Sequence, residues 1–264
     1  MYYQHITNAP GTARNFAHRL GDAVPGMGGF NLEFLNSDHH IGTLRVGGMH
    51  TGSAGHQSYL LTFGDRDSGI SGRETDPTRM TAKYFGLRAT TLTVAGTANR
   101  RASTLAPIPR LAADELLVLR GFEMQTLEGN HNIRGVGVRY LRWRNAISVT
   151  FSDDSPDDDG FTFVIHYLVL LHASRTGRRR NPHFEGPFQQ YFRFTESARI
   201  RKTHRGVAML SGFGFRFADN DHHLRKIAID LEPLDDFDVT FTDDERDNPV
   251  DGFIEYVLAI PYIR

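Results

Sequence analysis

No cysteine occurs in the chain. That absence excludes a disulfide framework, a thiolate metal centre and catalysis by a cysteine nucleophile. Lysine is scarce, standing only at Lys83, Lys202 and Lys226. Arginine therefore carries most of the positive charge, and its planar guanidinium suits fixed, two-pronged pairs with carboxylates. Tryptophan occurs once, at Trp143. There is no excess of one charge: the net charge is -1. Non-specific nucleic-acid binding needs a summed positive field, so no nucleic-acid partner is expected. The one basic run, Arg175 to Arg180, reads as a solvated loop tip.

Long apolar runs are also missing. The most apolar stretch, Phe163 to Ala173, is interrupted by His166 and falls well short of the ~20 residues that a membrane helix needs. Met1 to His5 lacks the basic segment and apolar core of a secretory signal. The expectation is a chain made in the cytoplasm without a signal peptide or membrane span, with later release in a particle left open. The phosphate-loop, serine-elbow and zinc-protease patterns GxxxxGK[ST], GxSxG and HExxH are absent. Gly26-Met27-Gly28-Gly29 leads into a strand pattern, so it offers no helix terminus to a phosphate.

What the chain has in quantity is a repeat, and repeats come before fold class. Gly29-Phe30-Asn31-Leu32, continuing to Asp38-His39-His40-Ile41, aligns without a gap with two further segments. These are Gly121-Phe122-Glu123-Met124, continuing to Asn130-His131-Asn132-Ile133, and Gly212-Phe213-Gly214-Phe215, continuing to Asp221-His222-His223-Leu224. The phenylalanines are spaced by 92 (122−30) and 91 (213−122) residues. Downstream, Ile41, Leu44 and Val46 match Ile133, Val136 and Val138, and then Leu224, Ile227 and Ile229. A strand ending in Thr-Phe and an acidic turn follow each time, at Thr62-Phe63, Thr150-Phe151 and Thr240-Phe241.

The apolar period is two. Phe30, Leu32 and Phe34 alternate with Asn31 and Glu33, the pattern of a strand with one face buried. Short strands between polar turns predict an all-β chain of three tandem antiparallel sandwiches, jelly-roll-like and each of about ninety residues. The boundaries fall at 1–90 (the divergent copy), 91–178 and 179–264, arranged in a row or closed with pseudo-threefold symmetry. Thr91 to Val94 and Tyr191 to Phe194 read as the first strands of the second and third copies. Thr12 to Leu20 is the one stretch with a helical reading, of two turns. Ala112 to Leu119 begins like a helix but aligns with a strand and is taken as one.

Two clusters are candidate sites. The first is the recurring turn Asp38, His39, His40; Asn130, His131, Asn132; Asp221, His222, His223. Imidazole and carboxylate are normal metal ligands, but adjacent histidines on a strand point to opposite faces. Asn replaces two of the three groups in the middle copy. The turn therefore reads first as a staple, capped by Asp or Asn with the central His packed inward, and second as a ligand-binding turn. The second cluster is acidic: Asp153, Asp154, Asp157 and Asp159, then Asp243, Asp244, Asp247 and Asp251. Calcium takes six to eight oxygens that such loops can supply, although neither has EF-hand spacing. No cofactor is expected beyond that calcium. Trp143 reads as a hairpin-tip or interface anchor, or as the aromatic of a sugar site.

Three function classes remain. Tandem sandwiches favour a non-enzymatic structural or interaction protein, one part of a particle, shell or appendage. Its partners would be copies of itself or another protein of the same assembly. A carbohydrate-binding protein with several linked sites is the alternative. A hydrolase using a metal or a carboxylate pair is the third, because such pairs meet only in space.

Overall fold

The computed structural model describes residues 2–8, 14–19, 24–35, 41–47, 50–51, 56–65, 78–87, 89–99, 101–127, 132–153, 160–171, 183–195, 197–202, 206–218, 224–231, 236–243 and 249–260. In 2–8, 14–19, 50–51, 56–60 and 62–65, and at 78, 171 and 195, the backbone alone is described. Residues up to 87 form β1 (Tyr2–Asn8), β2 (Arg14–Arg19), β3 (Val24–Phe34), β4 (Ile41–Val46), β5 (His50–Thr51), β6 (His56–Asp65) and β7 (Thr78–Leu87). The middle of the chain forms β8 (Thr90–Ala98), β9 (Ser103–Pro107), β10 (Glu115–Thr126), β11 (Ile133–Leu141), β12 (Ala146–Asp153) and β13 (Phe161–Leu171). The last part forms β14 (His183–Thr195), β15 (Ser197–Ile200), β16 (Val207–Phe217), β17 (Leu224–Asp230), β18 (Phe237–Asp243) and β19 (Pro249–Ile260).

These strands make three antiparallel sheets on one plan. The first runs β1-β7-β3-β17-β18-β15, the second β8-β13-β10-β4-β6-β2, and the third β14-β19-β16-β11-β12-β9. The short β5 adds to β6. Each sheet therefore takes three strands from one of the stretches 2–87, 90–171 and 183–260 and three from another, the first stretch being joined to the last. The seams share one register: Phe122 pairs with Val46, Phe213 with Val138 and Phe30 with Ile229.

Within a segment, the two half-sheets face each other as a sandwich. Phe215 of β16 stacks on Phe241 of β18 at 4.3 Å, and Phe192 and Phe194 of β14 lie against the same ring. Phe151 of β12 meets Phe161 of β13 edge-to-face at 5.8 Å. The alternation seen in the sequence is the cause. Phe30, Leu32 and Phe34 are buried, whereas Asn31 and Glu33 are half-buried on the other face. The three seam phenylalanines converge: Phe30, Phe122 and Phe213 touch pairwise, with ring centroids 5.2 to 5.4 Å apart. Edge-to-face and tilted contacts at such distances add about 0.5–1.5 kcal/mol per pair beyond the burial itself.

One residue before each seam phenylalanine stands a glycine, preceded by a bulge. The extra residues are Gly28, Arg120 and Ser211. A Cβ at Gly29, Gly121 or Gly212 would come within 2.4, 2.7 or 2.8 Å of the carbonyl oxygen of Ile229, Val46 or Val138. Only a residue without Cβ lets the seam strands approach so closely. Beyond the bulges, Leu116, Val118 and Met209 of β10 and β16 join Phe85, Leu87, Leu168, Leu170, Val257 and Ala259 of the neighbouring β7, β13 and β19 in a second apolar cluster.

The helical reading of Thr12 to Leu20 is corrected by the structure. Arg14–Arg19 is β2, an edge strand paired antiparallel with β6 from Arg14↔Leu61 to Arg19↔His56. A lone amphipathic stretch of that length gains little from helix formation, since two turns barely repay nucleation. Pairing with an existing strand satisfies its backbone directly.

Candidate interaction surfaces

Most of the recurring Asp/Asn-His-His/Asn turn lies outside the described residues: Asp38, His39, His40, Asn130, His131, Asp221, His222 and His223. Asn132 is described and is buried at the entrance to β11. Asp154, Asp157, Asp159, Asp244 and Asp247 also lie outside. Asp153 and Asp243 end β12 and β18, where they pair in matching register with Ile133 and Leu224. Asp243 is buried. Asp251 stands within β19, not on the turn, and its Oδ1 lies 3.4 Å from Nε of Arg193 on β14. Among the described residues, no three His, Asp or Glu side chains come together in a way that would hold a metal ion. No helix among them is long and apolar enough to cross a membrane.

Trp143 stands at the tip of the β11–β12 hairpin, in a single 3-10 turn over Arg142–Arg144 that closes through Asn145 in the left-handed conformation. Its side chain is 73% exposed. The tip is braced from below. Arg142 donates to the carbonyls of Ala112 (3.3 Å), Ala113 (3.1 Å) and Glu115. The Glu115 carboxylate accepts from the Ala112 amide at 2.7 Å. The Arg144 guanidinium sits 4.2 Å from the centre of the indole ring. The largest exposed apolar side chain is thus held on a fixed base, with its ring pointing away from the core. Tyr140, on the same hairpin, has its hydroxyl pKa raised by burial, with Arg142 opposing and Glu115 adding to the rise.

The sequence reading missed a set of polar groups at the seams. Lys83, His166 and Glu255 occupy matching positions, paired with Gly29, Gly121 and Gly212, and each is followed by a buried tyrosine: Tyr84, Tyr167, Tyr256. Lys83 bonds Asp230 at 2.5 Å across the first seam. Arg139 Nε bonds Glu255 at 2.8 Å across the third. In the second sheet, His166 Nδ1 lies 3.0 Å from the Thr93 hydroxyl. Burial, then the Arg120 charge, holds the His166 pKa below its ordinary value, with Glu123 opposing. Burial raises the Glu255 pKa, and Arg139 pulls it back through its charge and hydrogen bond. A lysine, a histidine and a glutamate share no chemistry, so their common place shows only when the strands are paired. The signal in the sequence was the tyrosine that follows each of them.

No protein-family model matches the chain, and no curated protein matches it. Among solved structures, it is similar to the major capsid protein P2 from bacteriophage PM2. Sequence identity is 11% and the TM-score 0.22, over 67% of this chain and 100% of that one. A likeness with so low a TM-score carries neither fold nor function across.

Proposed function

We propose that the chain is a non-enzymatic structural protein, a component that assembles with copies of itself or with another protein of the same particle, shell or appendage. Its three units, 1–90, 91–178 and 179–264, would act as one interlocked body. The observation that carries this reading is Trp143. An indole presented on a braced hairpin tip loses little conformational freedom when a partner covers it. Such aromatic anchors dominate the energetics of protein contacts. The sheets add support, because among the described residues each ends in two strands paired on one side only, and open edges invite pairing with another chain.

Light scattering after size exclusion, with negative-stain images of the same fraction, tests the proposal. The expected result is a regular assembly or an oligomer of fixed size. Trp143→Ala should weaken association by about thirtyfold or more, the loss typical of a hot-spot residue worth ~2 kcal/mol. A monomer near 29.7 kDa at every concentration, alone and mixed with extracts of its source, would overturn it.

A further inference from the structure

The outward faces of the three sheets present the same six positions across their seams, filled in three ways. In the first sheet they are Gly29, Asn31 and Glu33 beside Asp230, Ala228 and Lys226. In the second they are Gly121, Glu123 and Gln125 beside Gly47, Arg45 and Thr43. An ion pair spans each of these seams, Lys226 with Glu33 at 3.7 Å and Arg45 with Glu123. In the third sheet the six are Gly212, Gly214 and Arg216 beside Arg139, Gly137 and Gly135. Four of the six are glycine, Arg139 reaches past them to Glu255 of β19, and an aromatic ring lies over the bare strand.

The glycines let that ring lie flat. A Cβ at Gly214 would come within 2.5 Å of Phe253 Cε1, so the phenyl ring rests directly on the strand. The Arg139 guanidinium lies 5.0 Å from the centre of that ring. Its Nη2 donates to the Tyr191 hydroxyl at 3.4 Å. Tyr191 packs beside Phe253 with centroids 6.3 Å apart, yet is 69% exposed. Gln189 and Arg193 flank it along the same face of β14, both exposed. Arg193 is held at 3.4 Å by Asp251. An exposed ring is thus surrounded by planar polar side chains, of which Arg139 is held by Glu255 and Arg193 pairs with Asp251 at the surface.

We propose that this face of the third sheet binds a saccharide, with Tyr191 stacked on the apolar face of a pyranose ring and Gln189, Arg193, Asp251 and Arg139 bonding its hydroxyls. A pyranose has one face of C–H groups and a rim of hydroxyls that both donate and accept. An aromatic ring beside guanidinium, carboxylate and amide groups matches both parts. Side chains already held by partners lose little freedom on binding. The site does not depend on the assembly reading.

Saturation-transfer NMR with glucose, galactose, mannose and N-acetylglucosamine, at sugar concentrations that register a Kd of about 1 mM, tests it. The expected result is transfer to the ring protons of at least one sugar. Tyr191→Ala should abolish it, Tyr191→Phe should keep it, and Arg193→Ala should weaken it by roughly tenfold, about 1.4 kcal/mol. Trp143→Ala should leave it unchanged. Tyr191 is exposed, so these variants should keep the native circular dichroism. Transfer to none of the four sugars overturns the proposal, as does transfer that survives Tyr191→Ala or vanishes with Trp143→Ala. Light scattering on the same samples separates the two readings. If Tyr191→Ala breaks an assembly apart, the face is a protein contact and not a sugar site.

Discussion

Tyr167 is fully buried, and its hydroxyl meets no hydrogen-bond partner among the described residues. A buried hydroxyl without a partner costs stability, while its ring still fills the core. Tyr167→Phe should therefore leave stability unchanged or raise it by about 1 kcal/mol in urea denaturation. A loss of that size would instead reveal a partner. His166 and Glu255, at matching places in neighbouring sheets, should respond to pH with opposite signs. The folded state keeps His166 neutral below its ordinary value of 6.5. As pH falls through that value the unfolded chain binds a proton that the folded chain refuses, so stability is lost on the acid side. Glu255 has its folded pKa raised above 4.5. Between those two values the folded chain holds the extra proton, so its contribution falls as pH rises. Urea midpoints over a pH series check both: His166→Gln should flatten the loss just below 6.5, and Glu255→Gln should remove the fall just above 4.5. Curves parallel to the native one would mean that neither group titrates differently on folding.

At the level of strands, the buried seam glycines should be among the positions least tolerant of a side chain. Gly121→Ala places a Cβ 2.7 Å from the Val46 carbonyl, and overpacking of that kind costs about 1–3 kcal/mol. Gly137, where the nearest atom to a Cβ would be the Gly214 Cα at 3.2 Å, should tolerate alanine better. Thermal melts of the two variants compare them directly. Most strands were legible in advance because alternation at Phe30, Leu32 and Phe34 or at Phe213, Phe215 and Phe217 reports a buried face wherever the partner strand comes from. For the same reason alternation is silent about partners. Nothing in Val46 says that it lies against Phe122 and not Phe30. β2 escaped notice because an edge strand needs no strong pattern of its own once β6 is present. Trp143 was legible as the lone tryptophan. The Tyr191 platform was not, because it depends on Gly214 and Gly137 facing each other across a seam between segments.

For the molecule as a whole, the shared sheets should abolish independent unfolding of the three segments. Far-ultraviolet circular dichroism, which reports all three sheets, and Trp143 fluorescence, which reports one hairpin, should trace a single coincident transition. Phe213→Ala removes one of the three converging rings and should cost about 3–5 kcal/mol, lowering both signals together. Separate transitions would mean that the segments are energetically independent. The order in which the strands leave the ribosome adds a last consequence. The second and third sheets join neighbouring segments, so each can zip up soon after the later partner emerges. The first sheet cannot. Its seam joins Phe30 to Ile229, so β3 must wait, one edge bare, until nearly two hundred further residues (229−30) have been made. Nascent chains stalled before β17 should therefore be the sticky ones, bound by chaperones along the bare edge of β3, whose neighbours β17 and β18 have yet to be made.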